Sequence, residues 1–230
     1  MIPEPKPERR RICLVDDHAL VREGLRRLIE QEPDIVVCAE AADAEGALRE
    51  IGLAQPDAVV VDLTLRGDSG LDLIKRLQAL PAPPPVLVLS MHDESHYAER
   101  ALRAGALGYI MKRESSGKVI GALRKILAGE LYVSSAIAAQ AAEKFLRRST
   151  DPRSPLETLT DRELEVFRQI GHGKENRRIA EELHLSLKTV QTHCAHIKEK
   201  LGLASGTLLM RAAVRWVESD PGPPSPSGGV

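Results

Sequence analysis

Between Arg11 and Gly129 the chain repeats one rhythm, a short and almost continuous apolar run followed by a longer stretch in which apolar residues return every three or four positions. The short runs fall at 12–15, 35–39, 58–61, 86–89 and 107–110. They are brief and β-prone, as strands covered on both faces must be. The stretches between them carry helical spacing: Leu20, Leu25, Leu28 and Ile29, then Leu71, Ile74 and Leu77, then Val119, Leu123, Ile126 and Leu127. Strand and helix therefore alternate, which predicts an α/β fold, a doubly wound five-stranded parallel sheet. Open sheets of this kind place their sites at the carboxyl ends of the strands.

After Gly129 the strand-like runs stop. A helical stretch over 134–146 leads into 147–155, a polar segment with two prolines that reads as a linker. Four short helical patterns follow, at 161–170, 176–183, 187–201 and 207–217. Thr160 with Glu163 spells a capping box, and Gly171, Gly173, Gly202 and Gly206 punctuate the ends. The expected organisation is a tail over 1–10, an α/β domain over 11–129, a linker with a helical segment over 130–156, an all-α four-helix domain over 157–220 and a tail over 221–230. The last segment is almost entirely Pro, Ser and Gly, and cannot bury enough apolar surface to offset the entropy of ordering it.

Composition narrows the function classes. With 230 residues, 43% of them hydrophobic, the chain has material for a sizeable core. A net charge of -1 excludes a global positive field, so any nucleic-acid contact must be local. Counting 153–220 alone gives eleven basic and ten acidic residues, so phosphate attraction there has to be concentrated on one surface. Cys13, Cys38 and Cys194 are scattered without a CxxC pair, which points away from a disulfide framework or zinc site and toward a reducing cytoplasm. Residues 1–11 lack the apolar region of a secretory signal, and no run reaches the ~18 apolar residues of a membrane span. No membrane association is expected.

The candidate chemistry lies at the strand ends. Asp16 and Asp17 follow the first strand and Asp62 ends the third, so the topology brings three carboxylates to one rim. Crowded carboxylates repel unless a hard cation is bound, and Mg2+ is the expected ion. Ser90 and Lys112, at the ends of the fourth and fifth strands, add a hydroxyl and an ammonium suited to a phosphoryl group. In that logic Asp62 is the nucleophile, the cation and Lys112 offset charge on the transferring oxygens, and Ser90 donates a hydrogen bond to the product. A lone Asp at a strand end is usually a solvated or capping residue; the ordered combination is what carries the signal.

These residues resemble the response-regulator receiver domains of two-component signalling, over about 11–128, through VDDH, VDLTLRGDSG, Ser90 and GYIMK. The resemblance implies a flavodoxin-like receiver fold with Asp62 as phospho-acceptor. Asp17 and Asp62 would be direct metal ligands, Asp16 a ligand through water, and the backbone carbonyl of Thr64 a further ligand. Ser90 and Tyr109 would form the switch, the tyrosine turning inward as the hydroxyl moves toward the phosphoryl group. Two departures stand out: Arg66 where receivers usually carry proline, which puts the rate of self-dephosphorylation in doubt, and the stiff run Pro83 to Pro85.

In the C-terminal part, 176–183, a tight turn at 184–186, and 187–201 have helix-turn-helix spacing. LTDRE, GKENRRIA, LHLSLKTVQTH and KLGL resemble the DNA-binding domain of the LuxR/NarL class, over about 159–216. By that resemblance Lys188, Gln191, Thr192 and Ala195 line the exposed face of the recognition helix, and Val190, Ile197 and Leu201 face the core. Asn176, Lys188, Thr189 and Lys198 contact phosphates of double-stranded DNA, and the last helix serves as a dimer contact. Scattered lysines are otherwise an ordinary solvated face. Glu175 replaces the usual Ser or Thr at a helix start, and Gln191 and Ala195 replace longer or basic side chains, so a target sequence does not transfer. His193, Cys194 and His196 form an incomplete ligand set.

The sequence therefore predicts a response regulator of the NarL/FixJ class that is not an enzyme acting on an external substrate. A sensor histidine kinase would phosphorylate Asp62 and so control homodimerisation and sequence-specific DNA binding. One alternative is a regulator that binds DNA independently of phosphorylation, its receiver acting as a dimerisation module. A phosphatase is disfavoured: Thr64 stands where a general-acid Asp would be needed, and GHGKE lacks the P-loop spacing.

Overall fold

The computed structural model describes residues 9–65, 69–91, 94–114, 116–146 and 155–219. The expectations for Arg66, the polar stretch 147–154 and the outer parts of both tails lie outside those residues. The chain divides into two compact units at Arg148/Ser149.

In the first unit β1 (Arg10–Val15), β2 (Ile35–Ala41), β3 (Ala58–Val61), β4 (Val86–Ser90) and β5 (Gly108–Met111) form one parallel sheet in the order β2-β1-β3-β4-β5. The order reverses between β1 and β3, the point where an open α/β sheet leaves a crevice. One face packs against α1 (Ala19–Glu30) and α5 (Ser116–Leu127), through Leu25, Ile29, Val119, Leu123 and Ile126 on Ile12, Leu14, Val60, Leu87 and Leu89. The remaining receiver helices are α2 (Ala44–Ala54), α3 (Gly70–Gln78) and α4 (Glu94–Ala104).

Leu20 does not join this core: it is 88% exposed. At five residues before Leu25 it stands roughly 140° round the helix from it, and Val21 packs on the core instead. Past α5, Tyr132 bridges Gly108 at the edge of β5, with its amide donating to Leu107 and its carbonyl accepting from Tyr109. This pairing covers part of a sheet edge that would otherwise be open. The next helix, α6 (Ser135–Leu146), is capped by Ser134, whose hydroxyl also donates to Glu94 of α4 at 2.7 Å.

The second unit is helical: a 3-10 turn (Pro155–Thr158), then α7 (Asp161–Gly171), α8 (Asn176–Glu182), α9 (Leu187–Lys200) and α10 (Gly206–Ser219). Thr160 and Glu163 form the reciprocal capping box at the start of α7. Phe167, Ile170, Ile179, Val190, Ile197, Leu209 and Ala213 make the core, while Leu201 is only half-buried. Trp216 packs on Phe167 with ring centroids 5.6 Å apart. The turn from α8 to α9 passes through His184 at φ 52°, a left-handed conformation that a side-chain-bearing residue adopts at a cost.

Candidate functional site

Register brings the acids together. Val15 pairs with Val61 across β1 and β3, and the Asp62 amide donates to the Val15 carbonyl at 2.8 Å, so Asp16 and Asp62 emerge side by side at the reversal of strand order. Ser90 pairs with Met111 across β4 and β5, and the Lys112 amide donates to the Ser90 carbonyl at 2.8 Å, which carries the lysine to the same rim. Lys112 Nζ lies 2.6 Å from Asp16 Oδ2 and 2.7 Å from Asp62 Oδ2. Asp16, Asp62 and Ser90 are buried, at 3%, 4% and 0% exposure. Tyr109 is buried one strand over from Asp62's neighbour β4.

Burial dominates the electrostatics of Asp62. It pushes the carboxyl up to about 6; the Lys112 ammonium pulls down, the Asp16 charge pushes further up, and a hydrogen bond from the Thr64 amide pulls down again. Burial also opposes the Lys112 charge, but Asp62 and the hydrogen bonds to Asp16 and Asp62 outweigh it and leave the ammonium above the ordinary lysine value. Three carboxylates share this corner with one lysine ammonium, which contacts Asp16 and Asp62, so acidic groups are in surplus there. Oxygen donors with that surplus fit a hard divalent cation such as Mg2+.

Several contributors were not singled out in the sequence. His18 follows the acid pair directly; its Nδ1 lies 2.7 Å from Asp17 Oδ1 and 3.3 Å from Asp16 Oδ1. One donor atom from each of Asp16, Asp17, His18 and Asp62 falls within 4.8 Å of the others. The signal was present in VDDH, where an imidazole adjoins two carboxylates. Arg22 donates to the main-chain carbonyl of Asp16 and pairs with Glu40, fixing the corner from behind. Gly70 is required by close approach: a Cβ there would stand 2.1 Å from the Asp62 carbonyl oxygen. Thr64 enters through its amide, which bonds the Asp62 carboxylate, as well as through the bridge it forms with Ser69.

In the helical unit Lys188, Gln191, Thr192 and Ala195 are exposed along α9, and Thr189, Asn176 and Lys198 are half-buried. Ser186 caps α9, accepting from the Thr189 amide at 3.0 Å and bonding its hydroxyl at 2.7 Å. Thr192 Oγ1 donates back to the Lys188 carbonyl at 3.0 Å. Asn176, Gln191 and Lys198, with Lys174, Arg177 and Cys194, line an open recess of about 570 Å³. Lys174 is paired to Glu182, and Lys200 is committed to Glu163 at 2.6 Å, so neither ammonium stands alone on this surface. Glu175 occupies the N-cap of α8 but makes no side-chain cap. On α10, Leu208 and Met210 are exposed and Leu209 is buried.

The first unit carries a buried acidic corner at the strand reversal, with lysine and serine on the same rim, and a helix-turn-helix unit follows it in the chain. Residues 12–124 match the response regulator receiver domain family, and residues 157–213 match the luxR family of bacterial regulatory proteins. The chain belongs to the two-component response regulators with a LuxR-type helix-turn-helix domain, which are transcription regulators. It is 34% identical to the transcriptional regulatory protein LiaR of Bacillus subtilis (strain 168), over 86% of this chain and 93% of that one. It is also 34% identical to the oxygen regulatory protein NreC of Staphylococcus aureus (strain JH9), over 89% and 97%. A LuxR-family two-component response regulator from Aurantimonas sp. SI85-9A1 superposes with TM-score 0.56 at 42% identity, covering 60% of this chain and 99% of that structure. Among the described residues no helix is long and apolar enough to cross a membrane.

Proposed function

We propose that a sensor histidine kinase phosphorylates Asp62, and that the acyl phosphate so formed promotes homodimerisation and sequence-specific binding of double-stranded DNA. The observation that carries this reading is the Asp62 carboxylate, buried at the strand reversal and held 2.7 Å from Lys112. A carboxylate raised to about 6 is still ionised near neutral pH and is more basic than a free aspartate, as a nucleophile toward phosphorus should be. Its oxygen bonds to phosphorus as the phosphorus–nitrogen bond to the kinase histidine breaks.

Asp17 and Asp62 would hold Mg2+ directly, Asp16 through water, and the Thr64 carbonyl would be a further ligand. Bound there, the ion supplies electrostatic stabilisation of the transferring oxygens. Lys112 offsets charge on the same oxygens, and the Ser90 hydroxyl donates to the phosphoryl group once it is attached. Tyr109 follows that movement and relays it. Lys188, Gln191, Thr192 and Ala195 would face base edges in the major groove, and Asn176, Lys188, Thr189 and Lys198 the phosphates. Turnover of an external substrate is not part of this function, which is carried out in the cytoplasm.

The test treats the full chain with a small acyl-phosphate donor and Mg2+ and reads intact mass and solution mass. One phosphoryl group per chain, absent in Asp62→Asn, together with a shift from monomer to dimer, is expected. Phosphorylation without any change in solution mass, or a dimer of equal stability in Asp62→Asn, would favour a receiver that dimerises independently of phosphate.

A further inference from the structure

His18 breaks a local rule. It stands at the N-cap of α1, where Ser, Thr, Asp or Asn would accept hydrogen bonds from first-turn amides, yet its side chain makes no cap. Positions where sequence sets a local preference aside are commonly functional. The imidazole instead faces the acid pair, with Nδ1 2.7 Å from Asp17 Oδ1 and 3.3 Å from Asp16 Oδ1. The His18 amide donates to that same Asp16 oxygen at 2.8 Å. Lys112 occupies the other side of the corner, at Asp16 Oδ2 and Asp62 Oδ2. Lys112 and His18 thus divide the carboxylate oxygens, with His18 facing those that Lys112 leaves.

Resting on the reading of this corner as a divalent-cation site, we infer that His18 is a further protein donor of the site and tilts its selectivity toward divalent ions that accept nitrogen, such as cobalt. A ring nitrogen within hydrogen-bond reach of two carboxylate oxygens is within reach of an ion those oxygens share, and its donor atom falls within 4.8 Å of those of Asp16, Asp17 and Asp62. Magnesium prefers oxygen and keeps several waters, so it gains little from the imidazole. Later first-row ions bind nitrogen more strongly and gain more. The competing role for His18 is a clamp, in which the ring only orients Asp17.

His18→Asn separates the two roles, because an amide N–H can still reach the carboxylate while the ring nitrogen is gone. Co2+ and Mg2+ are titrated separately into the full chain, with Asp62→Asn reporting whether each ion occupies this corner. The expected result is Co2+ affinity about tenfold weaker in His18→Asn, with Mg2+ affinity changed far less. In Mn2+-loaded protein, electron spin-echo modulation from nitrogen should be displaced by excess Mg2+ and lost in His18→Asn. Affinities for both ions that stay at the wild-type value or weaken alike, or nitrogen modulation that persists in His18→Asn, would leave His18 as a clamp and overturn the inference. If neither ion is affected by Asp62→Asn, the cation reading of the corner fails, and the inference with it.

Discussion

Asp62→Asn measures the electrostatic cost at which the pocket is held. Burial, partly offset by Lys112 and augmented by Asp16, pushes the Asp62 carboxyl up to about 6. Against roughly 3.9 for a free aspartate, that displacement is equivalent to about 3 kcal/mol. Because the folded value lies above the unfolded one, folding is opposed by the ionised group. The cost is fully present above the folded pKa, shrinks as pH falls through it toward the unfolded value, and vanishes below that. Asparagine keeps an oxygen for Lys112 and the Thr64 amide but removes the charge. In buffer free of divalent ions at about pH 8, the receiver unit of Asp62→Asn is therefore expected to be more stable by about 3 kcal/mol, or roughly 6–12 °C in Tm. The gain should fade by about pH 4. Urea and thermal unfolding of the full chain, followed by circular dichroism across that range, provide the assay. Mg2+ should narrow the gap, since it stabilises the wild-type corner more than the variant. An Asn variant no more stable than wild type at the higher pH, or a gain independent of pH, would refute the reasoning.

Three further outcomes follow from the geometry. In the helical unit, burial would raise the Glu163 carboxyl, but Lys200 and Thr160 together hold it below the ordinary glutamate range. Glu163→Gln should therefore cost about 2 kcal/mol near neutral pH, a loss that diminishes as pH falls through the depressed folded pKa and the wild type loses the same charge. Trp216, the single tryptophan, reports that unit's unfolding by fluorescence. The same readout should show His184→Gly gaining about 0.5–1 kcal/mol, because glycine relieves the positive φ at the turn. Gly70→Ala forces a methyl within 2.1 Å of the Asp62 carbonyl oxygen, and should cost the receiver about 3 kcal/mol and weaken beryllofluoride binding.

The sheet was readable because its strands are covered on both faces: Ala58–Val61 is apolar throughout, and the corresponding run of the sequence is bounded on both sides by polar or turn-forming residues. Helix ends were readable where capping chemistry is explicit, as at Thr160 and Glu163. The acids at the rim were legible because strand ends and topology fix position without any knowledge of side-chain contacts. What periodicity could not give was direction at single residues. Leu20 has the apolar character of its helix but the wrong angular position, and Val21 takes the inward place. Tyr132 was invisible as a sheet contact because a single bridge has no alternation to announce it. His18 adjoins the acid pair in VDDH, but a histidine at a helix start has no spacing signature; only its distances to Asp16 and Asp17 place it at the corner.

The proposed effect of charge at Asp62 on how the helical unit engages DNA is tested most directly by equilibrium binding to duplex fragments selected from random sequence with the phosphorylated chain. Wild type with Mg2+ and beryllofluoride should bind those fragments at least about tenfold more tightly than the untreated protein, and Asp62→Asn should show no response to the same treatment. Equal affinity in all three states would contradict it.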